Sequence, residues 1–556
     1  MTSLASPLQR LQHLIRIERE DIGTLIAYGI GVGVMSLATP VAVQALVNTI
    51  AFGALFQPLL VLTLVLLVLV GFSNMLIALQ FYVVEMLQRR LFVRFFDEAA
   101  AHLKQAHIAS RDHHHLPELA NRFLDVAGLQ KTASVLLLET LGYVLQTLIG
   151  MILLAFYHPL LLAFDLFVIA ALWGILFVMG KNGVSTAIEQ SKAKYAAQAW
   201  LENIAANPLL GKAAGDNAFL GEKTDHLARN YLDACSRHFR ILARQNTGAL
   251  VLHTLANTLL LGMGGWMVIN YQLSLGQLIA AELVVSAMIY GLTRLGKTLE
   301  NFYELLTSVD KIGHLLDIPQ ESTRGIGFEP TGGSCRLDVY GVFLPESPNT
   351  DSLRGIDLHL EPGDRLVLSR GADRGTLLEV LFGLRTPVQG YVRLNHQDLR
   401  DLNLGQLRDS VHLVREAEII EATVLDNLCL GRDLDLGGLR QILAQVGLLE
   451  PLDALPDGLH SRLGADGMPL TREQCLRLTL ARALAGRPGL LLLDGVLDRI
   501  DYRVVPALLD VLLANEAPWT LIVTSRHPEI IARFNRHAFI QQGMLHEQTF
   551  ENQGKL

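Results

Sequence analysis

At 556 residues, with 51% hydrophobic and 18% charged residues, the chain exceeds one ordinary domain and is too apolar to be soluble throughout. Its formal net charge of −8 gives no reason to expect a nucleic-acid partner. The four cysteines (Cys235, Cys335, Cys429 and Cys475) are scattered and form neither a disulfide framework nor a zinc spacing.

The apolar residues are concentrated in the first half. No charged residue occurs from Gly23 to Val84, a length sufficient for two membrane crossings of about 20 residues each. Only Glu139 and Asp165 interrupt the stretch between Lys131 and Lys181, and only Glu282 the stretch between Gln245 and Thr293. Each stretch accommodates two spans, which predicts six helices in three hairpins. The hairpin turns, near residues 48–58, 156–159 and 270–277, are short and uncharged. The other connections are long and rich in Arg and Lys, so the positive-inside rule puts them, with both termini, in the cytoplasm. The first apolar run has no short core followed by a small-residue cleavage site, and it reads as a retained anchor.

Within the first span, Gly29, Gly31 and Gly33 predict close helix packing, since no strand precedes them to make a dinucleotide loop. Pro40 predicts a kink. The connection from Glu85 to Lys131 reads as helix, polar break at 110–115, and helix again through 117–126. The connection from Lys181 to Arg244 repeats this plan with a break around 207–217. Consecutive His113, His114 and His115 read as a solvated turn, because neighbouring residues on a turn rarely converge on one metal ion. Glu139, Asp165 and Glu282 are expected to face an interior, since a mid-membrane charge costs at least about 2.5–3.5 kcal/mol; a place near a helix end is the alternative for Asp165 and Glu282. His253 and Asn257, spaced i, i+4, share a helix face and predict an interhelical hydrogen bond.

The pattern changes after residue 321. A Gly-rich linker at 325–333 precedes strand-like runs at 337–342, 356–360 and 364–368. Helical stretches then alternate with apolar strands at 490–493 and 520–524, which argues for an α/β domain. The expected organisation is a transmembrane domain over 1–315, a linker over 316–333 and an α/β domain over 334–556. The run Leu366-Val-Leu-Ser-Arg-Gly-Ala-Asp-Arg-Gly-Thr-Leu-Leu378 has the layout of a phosphate-binding loop, namely strand, polar loop and helix start. The usual spacing G-x-x-x-x-G-K-[ST] would place Gly, Gly, Lys and Ser or Thr where Leu368, Asp373, Arg374 and Gly375 stand.

Six long helices followed by an α/β domain of this length resemble a half-transporter of the ATP-binding-cassette (ABC) exporter type, over nearly the whole chain. The segments 274–282 and 295–303 look like the last membrane helix of bacterial peptide and protein exporters. In the second half the frame residues match: Pro362-Gly-Asp364, Gly383-Leu384, Gly390, Asp426-Asn427, Leu480-Ala-Arg-Ala-Leu484 and Leu490-Leu-Leu-Leu-Asp494. The resemblance implies a type I exporter bundle with a cytoplasmic ATP-binding cassette, in a bacterial inner membrane, paired as a dimer with itself or with an active half. ATP and Mg²⁺ are the ligands it implies.

The residues that would do chemistry depart from the family pattern. Arg374 keeps the charge of the phosphate-loop lysine with a larger planar head, and Gly375 lacks the metal-binding hydroxyl, with Thr376 one position late. Arg415 stands at the position of the glutamine that links metal and attacking water. The signature segment reads Leu470-Thr-Arg-Glu-Gln474, placing Arg472 and Glu473 where glycines permit close approach to a nucleotide. Asp494 retains the metal carboxylate, but the following glutamate is Gly495, and the switch histidine is Ser525. The adenine-stacking aromatic falls near Leu344. The expectation is therefore a degenerate cassette without intrinsic hydrolysis. Arg370, Gly371, Arg374, Gly375, Thr376 and Asp494, with Gln474 from the signature segment, would form at most a weak or vestigial site for ATP and Mg²⁺. The expected function is an exporter subunit for a peptide, protein or other amphipathic substrate. An active exporter with atypical motifs and a non-transporting membrane scaffold are the alternatives.

Overall fold

The computed structural model describes residues 6–51, 56–107, 116–213, 218–322, 324–328, 333–346, 351–371 and 373–549. The histidine triplet, part of the 207–217 break and part of the linker lie outside these residues. Two compact units emerge, one comprising Met1–Lys104 with His115–Ile318, the other Gln105–His114 with Pro319–Leu556.

The first unit is helical. Helix α1 (Pro7–Ile17) starts at a Ser6 capping box closed by Gln9. Helices α2 (Arg19–Ser36) and α3 (Ala38–Ala51) are interrupted at Leu37. Pro40 supplies no N–H for the Ser36 carbonyl four residues earlier, which accounts for the break at that point. Helix α4 (Phe56–Lys104) runs unbroken for 49 residues. The chain continues through α5 (Leu116–Asn121), α6 (Asp125–Val135), a π turn (Leu136–Thr140), α7 (Leu141–Tyr157) and α8 (Pro159–Trp173). A second π turn (Gly174–Val178) precedes α9 (Gly183–Ala206), α10 (Pro208–Ala213), α11 (Ala218–Ile269), α12 (Leu275–Thr293) and α13 (Leu295–Leu316). Among the described residues, six helical segments are long and apolar enough to cross a membrane. Their apolar side chains face outward, as at Leu67, Phe81 and Phe156, where a water-soluble fold would not leave them.

The glycines of α2 pack as expected. A Cβ at Gly33 would lie 2.5 Å from Ile149 and one at Gly29 2.6 Å from Leu145, both on α7, while one at Gly31 would lie 2.8 Å from Leu76 on α4. Polar residues inside the bundle satisfy interrupted backbone. Fully buried Gln245 donates to Ile175 O (3.3 Å) in the second π turn and accepts from the Tyr303 hydroxyl (3.3 Å). His253 and Asn257 differ from expectation. Asn257 Nδ2 meets His253 Nε2 (3.4 Å) and His253 O (3.2 Å), so the bond stays within one helix, because a short amide side chain reaches the preceding turn first. Asp165 lies on the buried face of α8 with Leu161, Phe164 and Val168, spaced i, i+3, i+4 and i+7 from Leu161.

The second unit contains two sheets. Strands β1 (Leu337–Leu344), β2 (Leu353–Leu360), β4 (Gln389–Leu394) and β5 (Gln397–Asp398) form an antiparallel sheet ordered β2-β1-β4-β5, with β3 (Arg365–Leu368) placed elsewhere. The other sheet has the order β10-β9-β3-β8-β7-β6. It comprises β6 (Val411–Val414), β7 (Leu490–Asp494), β8 (Thr520–Thr524), β9 (Arg536–Gln541) and β10 (Met544–Thr549) around β3. Strands β6, β7, β8, β3 and β9 run parallel, and β9–β10 is an antiparallel hairpin. Strand β7, flanked by β8 and β6, is buried throughout its apolar run, as expected for an interior strand of a sheet covered on both faces. Helix α14 (Arg374–Leu381) follows β3, and α15 (Arg472–Ala485) precedes β7. Leu344 belongs to an apolar core cluster, and its aliphatic side chain has no ring on which a base could stack.

Candidate functional site

The C-terminal ends of β3, β6, β7 and β8 converge on one edge, the usual location of a site in an open parallel sheet. The loop after β3 turns at Gly371, where φ is +107° and a Cβ would lie 2.4 Å from Ile540 O, so only glycine suits this position. Asp373 follows, and burial together with nearby Asp351 raises its carboxyl pKa above the ordinary carboxylate value. Arg370 is exposed on this loop.

The structure brings Arg374, Gly375, Asp494 and Arg415 together, along with residues the sequence did not single out. The Arg374 guanidinium folds back over its own loop. Nε donates to Gly371 O (2.8 Å), while Nη1 donates to Leu368 O (3.1 Å), Ser369 O (3.4 Å) and Ser525 O (3.3 Å). Burial, aided by neighbouring Arg526, lowers its pKa below the usual arginine value. The charge that would meet outer phosphates thus lies against backbone carbonyls. Thr376 is buried, and Gln474 is used locally: its Oε1 accepts from Thr471 N (2.9 Å) in the capping box that starts α15. In the same turn Glu473 accepts from Arg477 Nη2 (2.8 Å) and from Asp501 N (3.3 Å).

Arg415 is the centre of the edge. Its Nε donates to Asp494 Oδ2 (2.6 Å), Nη1 to Glu379 Oε1 (2.6 Å) and Nη2 to Gly375 O (3.1 Å). Burial opposes the charge, but the bonds to Glu379 and Asp494 outweigh it and raise the pKa above the usual arginine value. The other oxygen of Asp494 accepts from Thr524 Oγ1 (2.9 Å), and Glu379 also accepts from Arg385 Nε (2.5 Å). Arg499 adds a third guanidinium. It donates to the carbonyls of Gly495 (3.1 Å) and Asp494 (3.1 Å), and also to that of Arg415.

Gly495, the residue after Asp494, has φ +63° and donates its N–H to Thr524 Oγ1 (2.7 Å), so the chain position following Asp494 carries no side chain. Ser525 is fully buried, donates its hydroxyl to Asp498 and accepts from His527 N (3.2 Å), while His527 itself is exposed. Glu379, Thr524, Asp498 and Arg499 were not found from sequence. Glu379, a carboxylate in the apolar helical run Leu377-Leu378-Glu379-Val380-Leu381, was the one with a readable signal.

These residues do not fit a divalent metal. Both Asp494 oxygens already have donors, position 375 has no hydroxyl, and a guanidinium lies within bonding distance of the carboxylate. A Cβ at Gly375 would lie 3.2 Å from Asp494 Oδ2 and 3.4 Å from Arg415 Nη2, so the space of the absent hydroxyl borders the guanidinium. Among the described residues, no group of three or more His, Cys, Asp or Glu could hold a metal ion.

Comparison with known proteins agrees with this architecture. Residues 22–292 match the family "ABC transporter transmembrane region", and residues 353–497 match the family "ABC transporter". An ATP-dependent lipid A-core flippase of Chromobacterium violaceum is 32% identical over 253 residues, which cover 44% of this chain and 42% of that protein. Multidrug resistance protein 3 of Entamoeba histolytica is 30% identical over 256 residues, 43% of this chain and 19% of that one. A multidrug efflux ATP-binding/permease protein of Mycobacterium tuberculosis is 26% identical over 300 residues, 53% of this chain and 25% of that one. The match to the first of these relatives spans less than half of its length. A solved structure of a bacterial Atm1-family ABC exporter with ATP bound superimposes with a TM-score of 0.83, over 96% of this chain and 95% of that one. At 18% identity that likeness concerns the fold. With six membrane-spanning helices and an α/β cassette on one polypeptide, the chain belongs to the ABC transporter family and has the type I architecture of an ABC exporter half-transporter.

Proposed function

We propose that the chain is one half of a dimeric exporter in a bacterial inner membrane, and that its own cassette does not hydrolyse ATP. The two halves would form the translocation path, with the cassettes in the cytoplasm. The substrate we favour is amphipathic, a peptide or protein in the first instance. The likeness of 274–303 to peptide and protein exporters supports that choice, and the relatives named for lipid A-core and multidrug transport keep the class broad.

The observation that carries the non-hydrolysing reading is the backbone and side-chain pattern after β7. Gly495 stands in a left-handed conformation where a carboxylate would orient water, and Ser525 is turned onto Asp498. Loss of a general base costs about 10²–10⁴ in rate, and loss of preorganised charge stabilisation costs a comparable factor. If the partner is a second copy, each composite site combines a damaged phosphate loop with a damaged signature segment. If the partner is an active half, each site still contains one damaged element.

The test uses the full chain purified into nanodiscs, with ATP hydrolysis measured in the presence and absence of vanadate. The expected result is no vanadate-sensitive turnover. Turnover abolished by Asp494→Ala would overturn the reading. Identification of co-purifying chains then distinguishes the two pairings, and absence of any second half would favour a membrane scaffold.

A further inference from the structure

We infer that Arg415 is a tethered cation that takes the place of the divalent metal at this cassette edge, so that the edge is held together by the chain's own charge. The inference deepens the proposed function and rests on its reading of the cassette. Three ligand-like oxygens converge on the guanidinium: Asp494 Oδ2 at 2.6 Å, Glu379 Oε1 at 2.6 Å and Gly375 O at 3.1 Å. Two carboxylates and a carbonyl form the donor set a hard cation would take. Here a planar guanidinium from the segment after β6 takes it, and its fork meets acceptors on two elements, α14 and β7.

Three further features fit this role. Gly375 keeps a side chain off the ion pair, since a Cβ there would stand 3.2 Å from Asp494 Oδ2, a tight approach, and in contact with Arg415 Nη2 at 3.4 Å. Arg499 donates to the backbone carbonyl of Arg415 and to that of Asp494, fixing both ends of the ion pair. Arg385 fills the second Glu379 oxygen, and Thr524 fills the second Asp494 oxygen, so neither carboxylate retains a free oxygen on this edge. A carboxylate pair this close would repel without a cation between its members. The chain supplies that cation at position 415, where the family pattern has an uncharged glutamine.

The inference predicts that metal is irrelevant to the wild type and becomes relevant when Arg415 is removed. The full chain in detergent is examined by thermal unfolding and by Mn²⁺ electron paramagnetic resonance. Wild-type Tm should not move with EDTA, Mg²⁺ or Mn²⁺, and no Asp494-dependent Mn²⁺ signal should appear. Arg415→Ala should lower the cassette Tm by about 5–10 °C. Millimolar Mn²⁺ should recover part of that loss in this variant alone, and Arg415→Lys should recover part of it without metal. The double variant Arg415→Gln/Asp494→Asn should lose less than the sum of its two single variants, because the two residues act as a pair.

Wild-type Mn²⁺ binding abolished by Asp494→Asn would overturn the inference, and so would an unchanged Tm in Arg415→Ala. If Arg415→Ala fails to fold, the wild-type Mn²⁺ measurement still decides. Failures of the two readings are separable. Mn²⁺ binding without ATP turnover removes the tethered cation and leaves the proposed function, whereas turnover without Mn²⁺ binding at Asp494 does the reverse.

Discussion

Asp494 and Asp165 are both largely withdrawn from solvent, and the chain treats them in opposite ways. At the cassette edge, Asp494 receives Arg415 on one oxygen and Thr524 on the other. In the membrane unit, Asp165 is 2% exposed and neither of its oxygens has a hydrogen-bond partner among the described residues. Glu282 Oε2 and Thr140 Oγ1 in the same unit are also buried and unbonded. Buried polar groups are ordinarily satisfied, so each exception calls for an explanation. The second unit has unbonded buried atoms of its own (Arg365 Nε, Ser410 Oγ and Arg477 Nε), but not a whole carboxylate. Its edge aspartate is closed by Arg415 and Thr524, while Asp165 is left to water, a proton, a second chain or a substrate.

One substitution made at both places gives the sharpest separation. Asp494→Asn removes the charge-assisted acceptor of Arg415 and leaves that guanidinium with Glu379 and a carbonyl. Loss of such a bond costs about 2 kcal/mol, or about 4–8 °C in the Tm of a domain this size. Asp165→Asn breaks no bond among the described residues and lessens the cost of holding a carboxylate in an apolar interior. It should raise the Tm by about 2–4 °C, equivalent to about 1 kcal/mol. Differential scanning fluorimetry of the full chain in one detergent measures both. A fall of similar size for Asp165→Asn would mean that Asp165 has a partner in the assembled protein, and the contrast between the two aspartates would collapse.

The same contrast explains what could be read from the sequence. Hydrocarbon tolerates few charges, so six spans followed from the spacing of charged residues, and the break near Pro40 from a missing N–H. Strands β7 and β8 were legible as short apolar runs between helical patterns, and the first falls within one residue of its expected bounds. Arg415 and Asp494 could each be named as departures or survivals. Their pairing could not, because the two lie 79 positions apart and meet only when β6 and β7 run side by side. Glu379 was legible only as a carboxylate out of place in an apolar helical run. That Arg385 and Arg415 hold it from either side was not, because only the fold brings Arg415 to it. The intrahelical bond of Asn257 likewise depended on a choice between two nearby acceptors that spacing does not make.

The smallest expected effect tests whether the missing glutamate alone explains the cassette. Gly495 has φ +63°, and the nearest atom to a Cβ there is Arg499 Nη2 at 4.0 Å, so the position has room but favours glycine. Gly495→Glu should therefore fold, with a cost of about 1 kcal/mol from the left-handed backbone, detected as a shift of about 2–4 °C. It should also remain without ATP turnover, because a carboxylate at 495 would face an edge whose phosphate-side charge, Arg374, is spent on loop carbonyls and whose metal position is held by Arg415. Turnover regained by this one substitution would show that the arginines leave the site when nucleotide arrives. The closed edge would then be a resting state of a cassette lacking a single residue. Silence in Gly495→Glu, together with metal-dependent recovery in Arg415→Ala, would instead place the decisive change at position 415.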